Sequence, residues 1–413
     1  MTKRRTALAA ARKAAGYTQE GLAAVLHIER STVIRWEAGR HAPVPYLWPK
    51  LAHVLGISRD QLTALLTNDL TPPAACSPPD SQAVAWEDMR RRTVLKWGVA
   101  ATAASLSTGV RTTVGMADVK RLHRAAARLH SLDQQHGGDS LWQSALAEAG
   151  TGMQLLEYGT YTGSVGEHLL SAAGQLQICA GWLALDAGQH GIARSCFSKA
   201  LAMSRQAADA QIETRALANL AYQSTVLARP REAVRYATGA EQAATGRGST
   251  ILLTVIPQLR LAVGNALAGN AREANRALGT ARRALERNTE ATTEAWSAFL
   301  SPMEIDGIEA TCALALHRPV HAERLLEHTI AGYATQLARN LAGWRVRLAR
   351  ARLDLGAVDG AAEAAHRALD DLTGGVASWR VLSELDAVAH RLKAYPDVAE
   401  VERFLVRHQA VHQ

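Results

Sequence analysis

Residues Thr18 to Gly39 read TQEGLAAVLHIERSTVIRWEAG, and the architecture of the N-terminal part of the chain depends on how they fold. Thr18 is placed to cap a helix, because its hydroxyl can accept from an orphan amide of the first turn. Leu22 and Leu26 recur at helical spacing, and Ala23 between them is small enough to let a second helix cross close by. The chain turns at His27-Ile28 and restarts near Glu29-Arg30-Ser31, with Val33 and Trp36 as the apolar face of the next helix. Gly39 ends that helix, where left-handed geometry is needed. Two short helices joined by a tight turn are therefore expected.

On these residues the stretch resembles the helix-turn-helix of the Cro/phage-repressor (XRE) family, with the resemblance extending over residues 1–66. It rests on Thr18-Gln19-Glu20 with Leu22-Ala23, on Ser31-Thr32-Val33, and on Glu37-x-Gly39 followed by Pro43. Two positions depart from the pattern. His27 stands where the family usually has glycine at the turn, and histidine tolerates positive φ better than most residues. Gly21 stands where glutamate is common, which forgoes a capping-box partner and weakens the helix by about 1 kcal/mol. The resemblance implies that the second helix lies in the DNA major groove. It implies that Gln19 bonds a phosphate, that Arg30, Ser31 and Arg35 reach base edges with Thr32 in the same DNA-facing set, and that Arg40 reaches the backbone. Arg30 and Arg35 could each make the forked guanidinium-to-guanine contact. Arg12 and Glu37 match a buried ion pair of the family, a structural rather than a reading element.

Charge distribution agrees. Of a formal net +8, residues 1–66 carry ten Lys/Arg against four Asp/Glu, whereas 67–117 carry five against four and 118–413 thirty-one against thirty. The basic excess is concentrated where a phosphate-binding footprint belongs. The four cysteines, Cys76, Cys179, Cys196 and Cys312, form no CxxC or CxxxC cluster and read as free, mostly buried thiols of a reducing compartment. No apolar run approaches the ~18 residues of a spanning helix. Aromatics are few, and Ala and Leu dominate with little β-branched alternation, which points to an all-α protein.

The basic arm Lys3-Arg4-Arg5 precedes a first helix from Thr6 to Ala15, stopped at Gly16. After the motif, His41 to Pro45 forms a loop, a fourth helix runs to about Leu55, and Ser58 caps a fifth that ends at Leu66. Five helices thus complete a repressor-like DNA-binding domain over 1–66. Residues 67–117 are read as a linker, Pro-rich at Pro72-Pro73 and Pro78-Pro79, with a bridging helix from Val84 to Leu106. Within it, Arg91-Arg92-Thr93-Val94-Leu95-Lys96 has the form of a twin-arginine export signal. Such a signal must be N-terminal, so export would require translation from Met89, and the intact chain is expected to be cytoplasmic.

From Asp118 to Gln413 the chain repeats. A small residue is followed twelve positions later by alanine in Gly181/Ala193, Ala221/Ala233, Ala262/Ala274, Ala310/Ala322 and Ala349/Ala361. Between the members of each pair lies a turn: Gly188, Arg229-Pro230, Gly269-Asn270, Arg318-Pro319 and Gly356. Small residues suit helices that pack closely within a hairpin and hairpins that stack. This resembles tetratricopeptide repeats, although the alanine-to-alanine intervals of 40, 41, 48 and 39 exceed that family's ~34. An α-solenoid of about five degenerate hairpins is expected, capped by 118–161 and closed by 378–413. If the repeat register follows the family, Gln175, Trp182, Arg215, Tyr222 and Arg350 face its concave groove.

Catalytic and metal-binding motifs are sparse. His317 and His321 have i,i+4 spacing, but Pro319 separates them into two helices. No HExxH, GxSxG or Walker lysine occurs, and Gly246 to Thr250 reads as a turn between hairpins. The expectation is a non-enzymatic transcriptional regulator with no cofactor or metal. Its partners are double-stranded DNA, a second copy of itself in a homodimer, and a peptide or small-molecule effector. The competing readings are a helical-repeat scaffold that binds DNA weakly, and an exported product starting at Met89.

Overall fold

The structure is a computed structural model and describes residues 6–15, 17–26, 30–38, 43, 51, 54–55, 113–245, 250–288, 295–333 and 337–411. The chain divides into two compact units, 1–78 and 79–413. All regular elements among the described residues are helical, apart from an isolated bridge between Thr113 and Thr160.

In the first unit, α1 (Thr6–Ala14), α2 (Gln19–Leu26) and α3 (Arg30–Glu37) enclose a small core. Leu8, Leu22, Ala23, Leu26, Val33 and Trp36 are buried there together with Leu51 and Leu55. Thr18 caps α2 as its sequence suggests: its Oγ1 accepts from the Gly21 amide at 2.9 Å. Leu51, Val54 and Leu55 are helical, in keeping with the fourth helix. The turn at His27-Ile28, the cap at Gly39, the fifth helix, and the linker from 67 to 112 with its arginine pair lie outside the described residues.

The second unit is an α-solenoid. α4 (Met116–His136) and α5 (Trp142–Tyr158) precede five hairpins: α6 (Gly163–Asp186) with α7 (His190–Gln206), α8 (Ala210–Val226) with α9 (Pro230–Ala243), α10 (Ile251–Leu267) with α11 (Ala271–Glu286), α12 (Pro302–Ala315) with α13 (Pro319–Gly332), and α14 (Ala338–Asp354) with α15 (Val358–Thr373). α16 (Trp379–Leu392) and α17 (Ala399–Val411) follow. The small residues read from sequence are the hairpin contacts. Ala193, Ala221, Ala233, Ala262, Ala274, Ala310, Ala322, Ala349 and Ala361 are all fully buried. A Cβ on Gly181 would lie 2.6 Å from the Phe197 ring, so only glycine lets α6 approach α7 there.

The five hairpin turns share one geometry. The second residue after the inner helix has positive φ: Gly188, Ala228, Gly269, His317 and Gly356. The next amide then bonds back across the helix end, as in Gln189 N to Ala184 O at 2.7 Å and Ala357 N to Arg352 O at 2.9 Å. This is the Schellman arrangement, which satisfies carbonyls the helix leaves orphaned. It also explains the two proline turns: Pro230 and Pro319 open the following helix, at the position where a missing N–H costs nothing.

The near balance of charge in this unit is accounted for by pairs that stitch neighbouring helices. Arg282 on α11 reaches Asp306 on α12 at 2.7 Å, and Arg345 on α14 reaches Asp371 on α15 at 2.5 Å. The long interval between Ala262 and Ala310 is also explained. It contains an extra segment after α11, with a short 3-10 turn at Ala295–Ser297 that buries Trp296.

The turn geometry makes a quantitative prediction. Ala228→Gly should raise stability by about 0.5–1 kcal/mol, because alanine is strained at φ 53°. Gly356→Ala should lower it by about 1 kcal/mol. Urea denaturation of the full chain and both variants measures the two shifts.

Candidate functional site

Each unit presents one candidate site. In the first, burial of Val33 and Trp36 turns the opposite face of α3 outward, where Arg30, Ser31 and Arg35 are exposed and Thr32 is half-buried. The Arg35 guanidinium donates to the Ser31 carbonyl at 3.2 Å and to the Ser31 hydroxyl at 3.1 Å, one turn back on the same helix. Arg30 pairs with Glu20 of α2 at 2.8 Å, with both side chains more than half exposed. Such an exposed pair is worth 1 kcal/mol at most, so Arg30 can exchange it for another acceptor.

Beneath this face, Arg12 Nε donates to Glu37 Oε1 at 2.7 Å, and Arg12 Nη1 to the Tyr17 carbonyl at 2.6 Å. The Arg12–Glu37 ion pair therefore forms as read from sequence, and it ties α1 to the end of α3. Gln19 joins it: its Nε2 donates to Glu37 Oε2 at 2.7 Å. Gln19 is thus held by the pair while keeping a second amide hydrogen for another acceptor. Arg40 lies outside the described residues.

In the second unit, the inner helices surround a cavity of about 580 Å³. Trp182, Arg215, Tyr222 and Arg350 line it. Gln175 does not: it lies on α6 with its Oε1 2.8 Å from His123 Nδ1 of α4.

The cavity is bounded by a buried clamp joining helices far apart in sequence. Asp133 of α4 pairs with Arg339 of α14 and accepts from Trp182 Nε1 at 3.1 Å. Asp186, at the end of α6, accepts from Arg380 Nε at 3.1 Å and Ser378 Oγ at 2.9 Å, and its other oxygen accepts from the Gly138 amide at 2.9 Å. Burial alone would lower the Arg339 guanidinium, but Asp133 and Asp186 more than offset it and raise its pKa. Glycine is required where the loop after α4 enters the clamp, since a Cβ on Gly138 would meet the Leu183 carbonyl at 2.7 Å.

Above the clamp, aromatic rings and guanidinium groups alternate. Tyr222 stacks with Trp182 at 5.5 Å between centroids and lies under Arg260 at 4.5 Å and Arg380 at 5.9 Å. Arg215 lies over Trp296 at 5.0 Å, and its Nη2 is 3.3 Å from His130 Nε2. Arginine only donates, so that nitrogen of His130 is the acceptor. Burial, then the charges of Arg215 and Arg339, push the His130 pKa down to about 3 and keep the ring neutral. The neighbouring Cys179 thiol, 3.1 Å from the same nitrogen, is pushed up to about 12 by burial and is no nucleophile. Glu304 accepts from the Tyr333 hydroxyl at 2.5 Å, and burial raises its pKa.

The sequence reading missed His130, Asp133, Arg260, Glu304, Arg339 and Arg380. A signal was present for one of them: Arg260 interrupts the apolar run ILLTVIPQLRLAVGNAL, which becomes α10. Among the described residues no cluster of His, Cys, Asp and Glu could hold a metal ion, and His321 instead lies 3.0 Å from Glu309. No described helix is long and apolar enough to cross a membrane.

Residues 8–62 match the family described as helix-turn-helix. No curated protein matches the chain. Among solved structures, the chain is similar to one in the Cut9-Hcn1 hetero-tetramer of the APC/C, at 14% identity over 92% of this chain and 84% of that one, with a TM-score of 0.33.

Two outcomes follow from this geometry. Asp186→Ala removes the hydrogen-bond acceptor of the buried Arg380 guanidinium, the Ser378 hydroxyl and the Gly138 amide, and should destabilise the chain by about 3–5 kcal/mol in urea titration. His130 gives a pH signature: the folded ring stays neutral while the unfolded one takes a proton near pH 6.5, so stability falls as pH falls below that value. Between pH 6.5 and 5 the wild type should lose about 1.5 kcal/mol more than His130→Gln.

Proposed function

We propose that the protein is a cytoplasmic, sequence-specific DNA-binding transcriptional regulator whose solenoid cavity holds an effector. The observation that carries the reading is the outer face of α3. Arg30, Ser31 and Arg35 stand exposed opposite a core-facing Val33 and Trp36, within a segment that matches the helix-turn-helix family. A guanidinium on the second helix of such a motif is suited to the paired acceptors of guanine in the major groove. The Arg12–Glu37–Gln19 network supports this by fixing how α3 is presented, leaving one Gln19 hydrogen for a phosphate.

A single unit of this size has little surface with which to select a site, so the active species is proposed to be a homodimer on a two-fold operator. The second unit supports a binding role rather than catalysis. Its cavity concentrates paired charges and stacked rings, and its one thiol beside a histidine is held protonated by burial.

Footprinting of the full chain on genomic DNA identifies the operator, and duplex titration at two salt concentrations then tests the reading. Arg35→Ala should cost about 1–3 kcal/mol on the operator and relax preference at one base pair of each half-site. Gln19→Ala should weaken operator and scrambled duplex by similar factors, and two chains should bind each operator. Wild-type binding without preference for any sequence defeats the proposal, and equal losses on both duplexes for Arg35→Ala show that α3 is not the reading helix.

A further inference from the structure

Arg260 carries a charge that has no ion-pair partner among the described residues. It sits in the middle of α10, is 8% exposed, and lines the cavity. It makes no hydrogen bond or ion pair with any described residue, and its Nε is buried without an acceptor. Its contact is the face of Tyr222, 4.5 Å away. The charges nearest it do not compensate. Arg380 has the same sign, lies over the same ring, and is already bound to Asp186. Glu304 forms no ion pair with Arg260 and accepts instead from Tyr333 and Asn340. An unpaired buried guanidinium is strongly unfavourable, so its retention points to a counter-charge that comes from outside the chain.

The rest of the cavity agrees on the sign of that partner and on its shape. Six arginines line the wall against three carboxylates, Asp133, Glu304 and Glu384, and adding Asp186 behind the clamp still leaves a positive excess. Aromatic residues are only 5% of the chain, and its hairpins pack through alanine and leucine. Yet four of the nine tryptophans, Trp182, Trp296, Trp344 and Trp379, face this space beside Tyr222 and Phe299. These rings, of which Trp296 and Trp344 also belong to the solenoid's buried core, are gathered where a planar ligand could stack. The clamp joins α4 to α14 and α6 to α16 at the wall of this space. A chamber of about 580 Å³ is of the size that holds small molecules.

We propose that the cavity binds a small organic anion with an aromatic body, its acidic group accepting from Arg260 and its ring lying among Tyr222, Trp296 and Trp344. This deepens, and rests on, the reading of the cavity as the effector pocket. The bidentate guanidinium-to-acid contact supplies the affinity for charge, and the stacked rings supply tolerance for the body.

The test is a fluorescence titration of the full chain with two probes that share a ring system, anilinonaphthalene sulfonate and the uncharged N-phenylnaphthylamine. Wild type should bind one sulfonate per chain. Arg260→Met should weaken the sulfonate by about 10- to 100-fold while changing the uncharged probe less than about twofold. The free Arg260→Met protein should melt no lower than wild type, because a methionine of similar length removes an uncompensated buried charge. Arg260→Lys, which keeps the charge but not the fork, should bind the sulfonate with intermediate affinity. Unchanged sulfonate binding in Arg260→Met, or equal loss of both probes, overturns the proposal. No DNA is present in this assay, so its failure is separable from failure of the regulator reading, and loss of operator recognition leaves the anion site untouched.

Discussion

The solenoid depends on a buried clamp between parts of the chain about two hundred positions apart. Asp133 and Asp186 come from α4 and α6, Arg339 from α14, and Ser378 and Arg380 from the start of α16. Stacked hairpins contact only their neighbours, so by themselves they specify a local rise and rotation and leave the ends independent. The clamp adds a long-range constraint. Taking charges out of water is costly, and the cost is offset only by close pairing with further hydrogen bonds. That requirement makes the geometry narrow: Asp186 accepts from three donors, and the loop after α4 must place the Gly138 amide as one of them. The helices carrying Trp182, Tyr222 and Arg260 are thereby held around one space.

Compensation also separates the arginines of that space. Arg339 and Arg380 have raised pKa values because, although burial opposes it, nearby carboxylates more than offset it for the first and Tyr222 with Asp186 does so for the second. Arg260 has the opposite shift: burial lowers it and Arg380 adds to the push, against the opposing influence of Tyr222 and Glu304. The same residue type at the same depth therefore does different work, set by which neighbours carry the opposite charge. Arg339 and Arg380 each have a carboxylate of the chain as ion-pair partner, whereas Arg260 has none among the described residues.

The N-terminal unit shows the same division at smaller scale. Arg12 is buried and fully used, binding Glu37 and the Tyr17 carbonyl. Arg30 and Arg35 are exposed and hold only exchangeable contacts, with Glu20 and with Ser31. Rigidity below and free donors above are what a surface that meets phosphate and base edges needs.

Much of this was legible in the residues alone. The Thr18 cap, the core positions Leu22, Leu26, Val33 and Trp36, and the Arg12–Glu37 pair follow from local spacing and from resemblance, since each depends on contacts within about 25 positions. The hairpins were equally plain, because close helix packing demands small residues at a fixed offset and leaves that offset visible. The 48-residue interval stood out from the others, and the structure supplies its reason, an extra segment that carries Trp296 to the cavity wall. What the sequence could not reveal is which charged residues meet across the solenoid. Asp133 and Arg339 look like ordinary helix-surface residues until the superhelix brings α4 beside α14, and Gln175, expected in the groove, meets His123 of α4 instead. Periodicity determines which face of each helix is buried, but the summed rotation of successive hairpins decides what that face meets, and with it which buried arginine is left without a partner.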